Sequence, residues 1–130
     1  MKNLMSNQII KDLGKNLLAI KNKLTKEIII FLTLTIILET CAQTFLKRST
    51  ESKDNKKKFI LAGCLFYSLV GYSYYYLLSS DIELTFANNL WNIGTTITIM
   101  MAGILFFQEK LNVKRLIGLI LTVIGVSLIG

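Results

Sequence analysis

The sequence predicts an all-α membrane protein, a bundle of four transmembrane helices preceded by a basic amphipathic N-terminal helix. Two observations lead there. Apolar residues make up 52% of the 130 and gather in long runs rather than being dispersed. The cations avoid those runs: six lysines fall in the first 26 residues, six Lys and Arg in 47–58 and three in 110–115. Such placement anchors helix ends among lipid headgroups. The formal charge of +7 therefore does not indicate nucleic acid, because a basic nucleic-acid domain needs a soluble core to display its patch.

The chain divides into a basic amphipathic segment, 1–27, and a four-helix transmembrane domain, 28–130. In the first, Ile10, Leu13, Leu17, Ile20 and Leu24 recur at spacings of three and four, with lysines between them. That pattern suits a helix lying in the headgroup plane; a short coiled coil or a helix packed on a partner has the same spacing. Lysines interrupt the apolar residues throughout, unlike a cleaved signal peptide.

Four apolar runs follow, at Ile28–Leu46, Phe59–Leu78, Leu84–Phe107 and Leu116–Gly130. About 20 helical residues cross a hydrocarbon core of ~30 Å. The first three runs meet that length, and the fourth does so by borrowing Leu111–Arg115. The short links KRSTESKDNKKK, SSDIE and QEKLNVKR make successive helices antiparallel neighbours. Counted on alternate sides, the Lys and Arg divide six against nine, a weak bias that permits insertion either way round.

Glu39 is the one carboxylate well inside a span, on a stripe with Thr35, Gln43 and Lys47. Intramembrane charges are costly and mark function by default. Burial favours the neutral acid, so this carboxyl is expected to exchange protons near neutral pH. The plainer alternative is a structural acid bonded to a neighbouring helix. On the third span Asn88, Trp91, Asn92 and Thr95 share a face. The Trp offers a π surface to a cation, or serves as an interfacial anchor. Tyr67 and Tyr72 are deep enough to line a cavity, whereas Tyr74, Tyr75 and Tyr76 fit an aromatic belt. Gly118 and Gly125, seven apart, permit close helix contact. Cys41 and Cys64 sit in apolar runs as small hydrophobes rather than as a disulfide framework. Histidine is absent, and Glu39 has no nucleophile or cofactor motif beside it. No enzyme, metal or cofactor is therefore expected.

The run LETCAQTFLK resembles the first helix of small multidrug resistance transporters, in which a membrane Glu is followed eight residues later by Lys. The stretch from Leu90 to Gly130 is similar to the family's third and fourth helices at Trp91, Phe106, Phe107, the QEKLN turn, Gly118 and Gly125. The resemblance covers residues 28–130. It implies a proton-coupled exporter of small organic cations, an antiparallel dual-topology homodimer in the plasma or inner membrane. Glu39 would be the shared proton and substrate site, Trp91 its aromatic lining, and Gly118 and Gly125 part of the dimer contact. Asn88 stands where many multidrug members carry Tyr, and Cys41 where guanidinium exporters carry Trp. With Asn92, Gln43, Tyr67 and Tyr72 added, the expected pocket is polar and suits amines, guanidinium compounds or polyamines. Two other readings are a drug/metabolite-type subunit that flips a lipid-linked sugar or exports a metabolite, and a non-transporting membrane interaction protein.

Overall fold

The computed structural model describes residues 2–23 and 25–129, with side chains left undescribed at 20–23. Leu24 and the side chain of Ile20, both part of the expected amphipathic pattern, thus lie outside the described residues. Every element among the described residues is α-helical. The helices are α1 (Lys2–Lys23), α2 (Lys26–Glu51), α3 (Lys56–Ser79), α4 (Leu84–Phe107) and α5 (Val113–Ile129).

Three of them, α2, α3 and α4, are long and apolar enough to cross a membrane. α5 has 17 residues, a rise of about 25 Å at ~1.5 Å each. It does take up Val113, Lys114 and Arg115, ahead of the apolar run. Large side chains such as Ile37, Leu61, Leu65, Met101, Leu105, Ile120 and Leu121 stay exposed. So much exposed apolar surface would be a liability in water, but it suits contact with lipid tails.

Many of the buried residues are small. On α2 the buried residues are Ile28, Thr35, Ala42 and Ser49; α3 contributes Gly63, Val70, Ser73 and Leu77. The seven-residue steps 28–35–42–49 and 63–70–77 are those of a left-handed helix pair. Small residues on the seam let the backbones approach. A Cβ at Gly63 would lie 2.6 Å from the Leu46 side chain and 3.2 Å from the Ala42 carbonyl oxygen. Thr35 Oγ1 and Ser73 Oγ share a buried hydrogen bond of 2.9 Å across the pair. Phe45 stacks on Phe66 at 5.4 Å and on Phe59 at 6.2 Å. α2 also packs along α4, where Thr40 and Thr98 join hydroxyls at 2.7 Å.

The first link is shorter than the apolar run implies. Lys47–Glu51, expected in the loop, continue α2, so that only residues 52–55 connect it to α3. Ser49 and Thr50 turn their hydroxyls back to the carbonyls of Leu46 and Lys47, and the Ser52 N–H caps Arg48. These bonds let a polar sequence finish the helix.

α1 rests on α5. The Asn16 amide donates to the carbonyls of Ser127 at 3.1 Å and Leu128 at 3.3 Å. Those carbonyls sit in the last turn of α5, where they lack intrahelical partners.

Candidate functional site

Glu39 lies halfway along α2, so its carboxyl is far from either helix end. It is half-buried and accepts a hydrogen bond from Gln43 Nε2, one turn on, at 3.1 Å. Tyr67, on α3, lies beside Gln43 and within electrostatic reach of Glu39. Three residues expected to act together thus meet at one place.

Glu39 and Gln43 open into a cleft of ≈ 690 Å³ between α2 and α4. Such a volume falls in the ~300–1,000 Å³ range of small-molecule sites. From α2 come Glu39, Gln43, Thr44 and Lys47; α4 supplies Asn92, Thr95, Thr96, Ile99, Met100, Ala102, Gly103 and Phe107. The cleft extends from mid-helix to the ends of α2 and α4, where Glu109 and Arg115 complete its lining. Its deep part offers one carboxylate, two amides and several hydroxyls. That chemistry suits a small cation with hydrogen-bonding capacity.

The other expected residues lie elsewhere. Trp91 packs against Tyr74, with ring centroids 4.6 Å apart, rather than lining the cleft. Its Nε1–H is buried without an acceptor, as is Asn89 Nδ2. Asn88 is exposed. Tyr72 is 63% exposed and shares a 3.1 Å hydroxyl–hydroxyl bond with Tyr76. Gly118 and Gly125 have open space where a Cβ would be, so this face of α5 is uncovered in the protomer. Cys41 and Cys64 are free thiols.

The sequence does not single out Glu109 and Arg115, since charges in a short link ordinarily face water. The one hint is that a carboxylate closely follows the end of the third apolar run, with a guanidinium six residues on.

Residues 28–122 match the family described as Small Multidrug Resistance protein. The match begins after α1. The chain is 33% identical over 105 residues to "Multidrug resistance protein EbrA" of Bacillus subtilis (strain 168), covering 78% of this chain and 93% of that protein. It is 35% identical over 105 residues to the protein of the same name from Bacillus atrophaeus, with the same coverage. No solved structure matches the chain. With helices able to cross a membrane and a match over most of its length, this multi-pass membrane protein is a transporter rather than an enzyme, and it belongs to the small multidrug resistance family.

Proposed function

We propose that this chain exports small organic cations in exchange for protons, working as an antiparallel homodimer in which α5 is the fourth span. The observation that carries the reading is Glu39, the one carboxylate at membrane depth among the described residues, lining a polar cleft between α2 and α4. A proton and a cation compete for that carboxylate, and either one neutralises it. Neutralisation lowers the cost of moving the site across the hydrocarbon, so each carrier permits reorientation in turn. Tight exchange also requires the empty, charged state to reorient slowly, because competition alone does not prevent leak.

Gln43, Tyr67 and Asn92 favour cations that accept or donate hydrogen bonds, such as amines and guanidinium compounds. The relatives named for multidrug resistance support efflux as the direction. Trp91 packs on Tyr74 outside the protomer's cleft; its place in this reading is the aromatic lining that the family resemblance implies for the assembled dimer. Three features support the fourth span and the dimer. α1 touches the C-terminal end of α5, as an even number of crossings requires. Among the described residues nothing of the protomer lies within contact of a Cβ at Gly118 or Gly125 of α5. The charge count of six against nine permits opposed orientations.

The test is proton flux in proteoliposomes driven by a guanidinium gradient. Wild-type protein should couple the two flows. Glu39→Gln, which keeps the shape and removes the charge, should abolish coupled flux while the helical content and dimer remain. Coupled flux at the wild-type rate in Glu39→Gln would make Glu39 a structural acid.

A further inference from the structure

We propose that Glu109 is a second cation-binding subsite at the mouth of the cleft, occupied by the guanidinium of Arg115 until a substrate cation displaces it. The proposal rests on the reading of the Glu39 cleft as the substrate path.

The turn after α4 is built to deliver this carboxylate. Gln108 adopts φ 53° and ψ 32°, the left-handed conformation that ends helices. The Glu109 N–H then bonds the Gly103 carbonyl at 3.1 Å, which folds residue 109 back over the last turn of α4. Its carboxylate rests against the backbone of Gly103, and a Cβ at 103 would lie 2.8 Å from Oε2 and 3.0 Å from Cδ. A glycine on the cleft wall leaves the room that the carboxylate occupies.

Arg115 is delivered as specifically. Asn112 Oδ1 accepts the Arg115 N–H at 2.9 Å and starts α5. Arg115 Nη1 then donates to Glu109 Oε2 at 3.2 Å and to the Lys110 carbonyl at 3.4 Å. Both side chains line the cleft that holds Glu39.

The pair is half-open to its surroundings, with side-chain exposures of 49% and 43%. Exposed pairs of this kind contribute little net stability, so an incoming cation displaces Arg115 at small cost. Local charge makes Glu109 necessary. Lys47 lines the same mouth and Arg48 lies over the ring of Phe107 beside it, so without the Glu109 side chain these cations and Arg115 would repel an incoming cation. The ionised Glu109 offsets one of these charges and gives the cation a first partner on the way to Glu39.

The test uses stopped-flow fluorescence of Trp91, the one tryptophan in the chain, on purified protein mixed with phenylguanidinium. At low ionic strength Glu109→Gln should slow association by about five- to tenfold, an effect of focused charge on encounter. Arg115→Gln should speed it several-fold, because it frees the carboxylate. High salt should shrink both effects. Gly103→Ala, which displaces the carboxylate without changing any charge, should slow association as Glu109→Gln does. Equal rates in all variants, or Glu109→Gln and Arg115→Gln moving in the same direction, would make the pair a structural clasp and overturn the proposal. Glu39→Gln keeps the two readings apart. Wild-type phenylguanidinium affinity in that variant would defeat the cleft assignment, whatever the mouth variants do.

Discussion

Glu39 and Gln43 stand out in the sequence because polar atoms in an apolar run must find partners, and the structure gives them each other, with Tyr67 nearby. Asn92 is legible for the same reason and lines the cleft. Trp91 is the residue whose position the sequence does not reveal. Its ring contact is Tyr74, from a cluster that reads as an aromatic belt, and its indole N–H lacks an acceptor. If Trp91 serves the cation with its face, Trp91→Phe should keep phenylguanidinium affinity within a few-fold. Trp91→Ala should then lose about tenfold, the scale of a partly desolvated cation–π contact. Calorimetry on the purified variants measures both. Equal losses in the two would assign the role to the N–H instead. Glu109 and Arg115 are illegible for a physical reason. Only the left-handed Gln108 turns them back over the helix end, and a charged link gives no local sign of that reversal.

The helices themselves follow from hydropathy, and α4 spans the same residues as its apolar run. Their ends do not, because serine and threonine hydroxyls bonded to preceding carbonyls carry α2 through Glu51. Packing is hidden too. The 28–35–42–49 seam contains one large apolar residue, so a search for hydrophobic periodicity passes over it, whereas membrane helices associate through small residues. α1 shows the opposite case, since its apolar spacing predicts a helix but leaves its partner open. The structure seats Asn16 on the final carbonyls of α5, which leaves Lys2, Lys11 and Lys15 exposed. On the membrane-surface reading, deleting residues 1–26 should reduce retention of anionic phospholipid, at about 1 kcal/mol for each lysine near the surface. Phenylguanidinium affinity should stay within twofold. Lipid analysis of the purified protein with a matched binding assay checks this. Loss of cation binding in a correctly inserted truncation would place α1 in the site.

For the whole molecule, glycines separate what holds a protomer from what joins two. Gly63→Val forces a side chain against Leu46 and the Ala42 carbonyl, and overpacking of this kind costs about 1–3 kcal/mol. It should lower unfolding stability in denaturant titrations. Gly118→Leu with Gly125→Leu meets open space in the protomer, so helical content should persist while the dimer dissociates in cross-linking. A dimer unaffected by that double substitution would remove α5 from the interface. The central claim is competition at Glu39, and its most direct measurement is phenylguanidinium affinity across pH in wild-type protein and in Glu39→Gln. Affinity in the wild type should rise with pH as protons leave the site, and binding in weak buffer should release protons. Glu39→Gln should bind weakly, with no pH dependence and no proton release. Undiminished, pH-dependent binding with proton release in Glu39→Gln would contradict the account.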